Sequence, residues 1–284
     1  MGRDAKQLVK DFPFTYTHQR STLHFSTPIT PRVADAMKHL LNQARQDKRV
    51  SAPVLSSGCR LFAKRQPIDT FKKKIRIARG RAKRCGMYDW PIEELMNTAE
   101  AQRRGVRVPS LIAFGYTRSP VGLANDVIII TELLPDHTDG LEWVNANSHG
   151  VEHLIAKTFE LLHALNSKGI IHMDLWAANV MLANTGDAPA HAIDLENCFL
   201  RSPDDLSETL GFQFGFFYHR EIYRFITEAR YDALVYDALN AYPAVDKSRF
   251  AEVYEESKHQ HIGRKERRGW FVINKKEKNK SRKF

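Results

Sequence analysis

The chain of 284 residues is predicted to be an α+β protein in two parts, a small strand-rich part with one prominent helix and a mainly helical part. Three observations predict this class. Short apolar runs typical of strands cluster before residue 134, and an amphipathic helical pattern begins at Val151. Residues 133–140 (LLPDHTDG) form an irregular connector between them. We therefore predict an N-terminal lobe over residues 1–134 and a C-terminal lobe over residues 135–284.

The strands of the first part are predicted from turn signals and β-branched content. Residues 50–55 and 60–64 flank Ser56-Ser57-Gly58, a tripeptide that favours a hairpin turn. Two further strands are predicted at residues 110–116 and 126–132. The second of these contains Val127 followed by three isoleucines, as expected of a buried strand.

The helices are predicted from apolar periodicity and from their end signals. Residues 91–104 carry Pro91 in the first turn and are followed by Gly105, a residue that favours a helix end. Residues 151–168 show a wide apolar face closed by Gly169. We also expect a short helix at residues 34–45 and mainly helical structure from 205 to 256, whereas residues 1–35 show no clear pattern. The aromatic run 211–218 (GFQFGFFY) is expected to be a core segment, with lipid insertion or lining of an acceptor site as alternatives.

Positive charge is concentrated in two stretches of a chain whose formal net charge is +10. Residues 72–84, the basic block, hold eight basic residues and no acidic one, and residues 264–284, the basic tail, hold ten basic and two acidic. The rest of the chain carries a net charge of −6. Such stretches indicate contact with nucleic acid, an anionic membrane or a phosphorylated substrate, and the alternative is a solvated charged surface.

Composition excludes several other classes. An apolar content of 43% is that of a globular protein, and no apolar run approaches the roughly 18 residues of a membrane span. The N-terminus lacks the apolar core of a signal peptide. Cys59, Cys85 and Cys198 are too widely spaced to indicate a disulfide framework or a metal site. We expect a protein of the reducing cytoplasm whose membrane contact, if any, is peripheral.

The stretch 169–195 (GIIHMDLWAANVMLANTGDAPAHAIDL) carries the candidate chemistry. His172 precedes Asp174 by two residues, Asn179 follows five residues later, and Asp194 lies fifteen residues beyond Asn179. This order resembles the catalytic core of the protein-kinase-like superfamily. The resemblance implies that Asp174 accepts the proton of an incoming hydroxyl and that Asn179 and Asp194 hold Mg²⁺ beside the nucleotide phosphates. His172 is expected to be structural rather than a proton carrier.

The first part offers residues for the nucleotide. Leu61-Phe62-Ala63-Lys64 resembles the strand whose lysine pairs with nucleotide phosphates. Glu94, eleven residues before Gly105, is the preferred ion-pair partner of Lys64, with Glu93 and Glu100 as competitors. The main chain from Glu132 to Leu134 would hydrogen-bond the adenine.

Departures from the pattern of regulated protein kinases narrow the choice. Met173 stands where an arginine that receives an activation-loop phosphate is common, and Leu195-Glu196 replaces Phe-Gly after Asp194. No activation segment follows, which disfavours a protein kinase switched by loop phosphorylation. The segment 42–50 (NQARQDKRV), where a glycine-rich phosphate loop is expected, contains no glycine.

Over roughly residues 55–200 the chain resembles the bacterial lipopolysaccharide kinases that phosphorylate inner-core heptose or 3-deoxy-manno-octulosonic acid (Kdo). The motifs that carry the resemblance are SSGCRLFAKR, GVRVP, ITELLP, HMDLWAANVML and AIDLEN. The resemblance implies a two-lobed protein-kinase-like fold and a kinase dependent on ATP and Mg²⁺. It also implies a lipid-anchored phosphorylated saccharide acceptor at the inner face of the cytoplasmic membrane. The basic block would then be attracted to the anionic membrane surface. Nucleic acid is not an expected partner.

Two alternative functions remain open from the sequence. One is another small-molecule kinase of the same fold, of the aminoglycoside or choline type, whose usually acidic substrate sites fit the basic block badly. The other is a non-catalytic pseudokinase or an RNA-binding module that uses the basic tail.

Overall fold

The computed structural model describes residues 3–43, 49–54, 59–81, 83, 88–185, 187–200, 205–264 and 266–267. The chain divides into two compact units, Met1–Pro135 and Asp136–Phe284. This division falls one residue after the boundary predicted from the sequence. The functions assigned to the two parts stay predictions.

The first unit contains a six-stranded sheet in which all neighbouring strands are antiparallel, in the order β1-β2-β5-β6-β4-β3. The strands are β1 (Phe14–His18), β2 (Ser21–Phe25), β3 (Val50–Pro53), β4 (Leu61–Pro67), β5 (Leu111–Arg118) and β6 (Ala124–Glu132). The helices are α1 (Arg3–Asp11), α2 (Pro31–Asn42), α3 (Phe71–Ala78) and α4 (Trp90–Arg103).

Strand β6 is buried on both faces of the sheet, which accounts for its β-branched sequence. Ile128 and Ile130 belong to an apolar cluster with Met37 of α2. Val127 and Ile129 belong to a second cluster with Leu95 of α4. Successive side chains of a strand point to opposite faces, so an unbroken apolar run is required here.

The elements predicted for the first unit are present with shifted ends. The predicted strand pair is the antiparallel pair β3–β4, whose expected turn at residues 56–58 lies outside the described residues. Helix α2 begins earlier than expected, because Thr30 caps it through a bond from the Val33 N–H. Gly105 follows α4 with a φ of +67°, as a glycine stop signal requires.

Two features of the first unit were not predicted from the sequence. Residues 1–35, which show no clear pattern, contain α1, the β1–β2 hairpin and the start of α2. The first seven residues of the basic block are helical and belong to α3. Residues 82 and 84 of that block lie outside the described residues.

The second unit is mainly helical, as predicted. Its helices are α5 (Gly140–Ala146), α6 (Val151–Ser167), α7 (Leu206–His219), α8 (Glu228–Ala238) and α9 (Lys247–His259). Its strands are β7 (His137–Asp139), β8 (Ile171–His172), β9 (Val180–Ala183), β10 (His191–Ala192) and β11 (Cys198–Phe199). They form a three-stranded sheet in the order β10-β9-β7 and the two-stranded pair β11-β8.

The aromatic run 211–218 lies within α7 and is buried, as its interpretation as a core segment requires. Two glycines let α7 approach α9 closely. A Cβ atom at Gly211 would lie 2.6 Å from the carbonyl oxygen of Phe250, and one at Gly215 would lie 2.6 Å from that of Tyr254. Because the run is enclosed by the unit's own helices, its insertion into lipid is excluded.

The predicted fold class is confirmed as α+β, with a β-sheet N-terminal unit and a helical C-terminal unit. Within the part of the chain that the structure describes, no helix combines the length and the apolar character that crossing a membrane requires.

Candidate active site

In the first unit, the structure places Lys64 against Glu94. Lys64 lies on β4, between β6 and the edge strand β3, and its Nζ is 2.5 Å from Glu94 Oε1. The Glu94 side chain is only 3% exposed, and its other oxygen accepts a hydrogen bond of 2.6 Å from Gln66 Nε2. A buried carboxylate needs such donors, so Gln66, which the sequence analysis missed, helps to fix the pair.

The two competing glutamates of α4 are engaged elsewhere. Glu93 accepts a hydrogen bond from the main-chain N–H of Tyr88. Glu100 is bonded by Arg103 and Arg104, and these hydrogen bonds lower its pKa to about 2. Of the three candidates, Glu94 is therefore the one that the structure brings to Lys64.

In the predicted adenine-binding segment, two of the three main-chain N–H groups already donate hydrogen bonds to neighbouring residues of the first unit. The Glu132 N–H donates to the Ser110 carbonyl at 2.8 Å, and the Leu133 N–H donates to the Arg60 carbonyl at 2.9 Å. Leu134 follows directly, and its N–H has no acceptor among the described residues. Of the three main-chain donors from Glu132 to Leu134, that of Leu134 is thus the one suited to a base. The glycine-free segment expected over the phosphates has its central residues, 44–48, outside the described part.

In the second unit, His172 organises the catalytic loop. It is fully buried; its Nε2 lies 3.2 Å from the Ile193 carbonyl, and its Nδ1 accepts a bond from the Asp174 N–H. That pattern requires the proton on Nε2, where it donates to the carbonyl. Burial lowers the pKa of His172, so the neutral form is favoured. These contacts support a structural role for this histidine.

Asp174 is held by side chains that follow it in the chain. Asn179 Nδ2 donates to the Asp174 carbonyl at 2.8 Å, and Asn197 Nδ2 donates to Asp174 Oδ2 at 3.2 Å. The Asp174 side chain is 17% exposed, so its carboxylate is accessible. Asn197 is a further site residue that the sequence analysis did not select, although it ends the quoted motif AIDLEN.

Asn179 and Asp194 are linked through the main chain. The Ile193 N–H donates to the Asn179 carbonyl at 3.0 Å, which fixes the residue before Asp194. Asp194 itself has a φ of +61°, a left-handed conformation that costs free energy for a residue other than glycine. Such strain is typical of functional sites, where the surrounding structure imposes it.

The donor set of Asn179 and Asp194 fits a magnesium ion. Because the amide nitrogen of Asn179 is used by Asp174, the amide oxygen is the atom that this side chain can offer. Asp194 adds carboxylate oxygens, and hard oxygen ligands of this kind are those that Mg²⁺ prefers.

The order of these residues resembles that of the catalytic core in the protein-kinase-like superfamily. Residues 89–210 match the model of the Lipopolysaccharide kinase (Kdo/WaaP) family. This match confirms the family resemblance predicted from the sequence. The matched family is one of kinases, the enzyme class that the sequence resemblance implies.

Several solved structures are similar to the chain at low identity. The bifunctional kinase-methyltransferase WbdD is 16% identical, with a TM-score of 0.46 over 91% of this chain and 52% of that one. WaaP in complex with acyl carrier protein is 15% identical, with a TM-score of 0.36 over 85% and 94% of the two chains. The chain thus spans about half the length of WbdD. A comparison with curated proteins finds no match.

The buried pair of Lys64 and Glu94 is expected to matter more for folding than the exposed pairs of the same helix. Replacing Glu94 by Gln leaves the Lys64 ammonium without its counter-charge, which should lower the free energy of unfolding by about 1–3 kcal/mol. The matched change Glu100→Gln, in a more exposed ion pair, should cost less than about 1 kcal/mol. Urea denaturation of the two variants measures both values, and equal losses would contradict the role given to Glu94.

Proposed function

We propose that the chain is an ATP-dependent kinase that phosphorylates a sugar hydroxyl, Kdo or heptose, of the lipopolysaccharide inner core. The family match supports this acceptor class. The observation that carries the chemistry is the Asp174 carboxylate, which is accessible and yet bonded by Asn197, while Asn179 holds the main-chain carbonyl of the same residue.

The proposed reaction is an in-line displacement on the γ-phosphorus of ATP. Asp174 accepts the proton of the sugar hydroxyl, whose oxygen forms the new bond to phosphorus. The bond between that phosphorus and the bridging oxygen breaks, and ADP leaves. Asp174 contributes chiefly by orienting the hydroxyl, since positioning and charge stabilisation dominate phosphoryl transfer.

The remaining site residues are assigned to the nucleotide. Lys64, fixed by Glu94, holds the phosphates, and the main chain near Leu134 holds the adenine. Asn179 and Asp194 hold Mg²⁺, which when bound neutralises charge that develops on the phosphoryl oxygens.

The Asp174→Asn variant tests the catalytic assignment. Asparagine keeps an oxygen for the Asn197 donor but is not a base, so transfer of labelled γ-phosphate to purified lipopolysaccharide should fall about 100- to 10,000-fold. The matched control is Asp187→Asn, at an exposed aspartate paired with Lys157, which should leave the rate unchanged. Full activity of Asp174→Asn would contradict the role of this residue.

We further propose that the basic block holds the enzyme at an anionic membrane. Not all of its charges are available for this. Lys73 pairs with Asp69, and Arg76 donates two hydrogen bonds of 2.6 Å to Asp89, a carboxylate that Lys83 also approaches. These three cations are therefore partly neutralised within the unit.

Exposed groups beside those pairs offer the contact surface. Lys72 and Arg81 are exposed, and Phe71 at the start of α3 is 67% exposed. An exposed aromatic ring beside exposed basic side chains is typical of a helix that lies on a membrane surface.

Vesicle binding tests this surface. Each basic residue near an anionic membrane contributes about 1 kcal/mol. The double variant Lys72→Gln/Arg81→Gln should therefore bind phosphatidylglycerol vesicles at low salt roughly 30-fold more weakly than the natural chain. The matched control, Lys10→Gln/Lys38→Gln, removes two exposed lysines of the same unit and should bind normally. Equal binding by the Lys72/Arg81 variant and the natural chain would contradict the proposal.

A further inference from the structure

The fourth residue of the basic tail, Arg267, reaches the proposed base. Arg267 Nη1 donates a hydrogen bond of 2.6 Å to Asp174 Oδ1 and one of 3.0 Å to the carbonyl oxygen of Met173. Since Asn197 donates to Oδ2, each oxygen of the Asp174 carboxylate has its own donor. Arg267 thus binds both the side chain and the backbone of the catalytic loop.

This arginine is built into the second unit and is not a solvated charge. Its side chain is 8% exposed, and its guanidinium carbon lies 4.7 Å from the centre of the Phe216 ring. The Arg267 N–H donates to the Gly263 carbonyl, which closes one helical turn, and Ile262 before that turn packs on the apolar cluster of Met173 and Phe216. A planar guanidinium that lies over an aromatic ring is well suited to a fixed position.

A second arginine of the same turn strengthens the attachment. Arg264 forms an ion pair with Glu196, a buried residue that follows Asp194 by two positions. The turn therefore contacts the segment after Asp194 as well as the loop around Asp174.

Residue 173 itself supplies no cation to the loop around Asp174. The arginine common at this motif position is replaced by Met173, whose side chain is fully buried against Ile171 and Phe212. The motif itself therefore brings no cation to Asp174. Arg267 brings one from 93 residues further along the chain.

We infer that Arg267 is a positioning residue, which holds the Asp174 carboxylate and the Met173 carbonyl in the orientation that phosphoryl transfer requires. The inference rests on the proposed function, because it depends on the role of Asp174 as the base. Arg267 leaves the base usable, since a carboxylate oxygen accepts two hydrogen bonds and the Asp174 side chain remains 17% exposed.

Steady-state kinetics of lipopolysaccharide phosphorylation tests the inference. Arg267→Met should lower kcat about 10- to 100-fold, because a misplaced catalytic group costs up to about 100-fold in rate. The KM for ATP should stay within about two-fold, since the side-chain hydrogen bonds of Arg267 run to Asp174 and to the Met173 carbonyl. Arg267→Lys keeps the buried positive charge and should recover part of the loss, which also covers the case in which Arg267→Met does not fold.

Two further measurements separate positioning from a structural effect. The control Arg230→Met removes an exposed arginine that is bonded through two nitrogens to Glu152, and it should leave kcat unchanged. In the Asp174→Asn background, Arg267→Met should cause less than about a two-fold further loss, because its effect passes through the carboxylate.

Several results would overturn the inference. An unchanged kcat in Arg267→Met would remove the positioning role, and a raised kcat would show that the arginine blocks the site instead. A loss confined to KM, or an equal loss in the Asp174→Asn background, would show that Arg267 acts by another route. If the natural chain transfers no phosphate to lipopolysaccharide, the proposed function fails together with this inference. An active natural chain with a fully active Arg267→Met variant would overturn this inference alone.

Discussion

The described contacts around the candidate site of the second unit converge on one residue, Asp174, and hold its carboxylate in place. The main chain of the loop is held on both sides of this residue, by His172 before it and by Asn179 after it. The carboxylate is then held by Asn197 and Arg267. A base oriented before substrate binds needs little reorganisation during the reaction, which is how a rigid loop can lower a barrier.

The basic side chains of this protein fall into three groups with different surroundings. Much of the basic block is consumed inside the first unit, where Asp89 is a buried acceptor for Arg76. Exposed members such as Lys72 and Arg81 form the surface proposed to contact an anionic membrane. The start of the basic tail forms a third group, since Arg264 and Arg267 pair with carboxylates of the loop region. The net charge of +10 alone distinguishes none of these groups.

Much of the fold could be predicted from local patterns, because the apolar periodicity of α6 and the β-branched run of β6 directly reflect burial. The β1–β2 hairpin was missed because its turn contains no glycine or proline, although Gln19 there has a φ of +51°. The motif spacing predicted the candidate site residues of the catalytic loop. Arg267 could not be predicted, since its contact with Asp174 joins distant parts of the chain through tertiary packing.

The most direct test of the account is to give the protein two competing acceptors. Lipopolysaccharide core oligosaccharide and an aminoglycoside would be incubated together with the protein, ATP and Mg²⁺, and the products would be analysed by tandem mass spectrometry. If the protein is the proposed kinase, the products carry one added phosphoryl group on a Kdo or heptose residue, and the aminoglycoside is unmodified. A phosphoryl group on the aminoglycoside alone, or none on either acceptor, would contradict the proposed function.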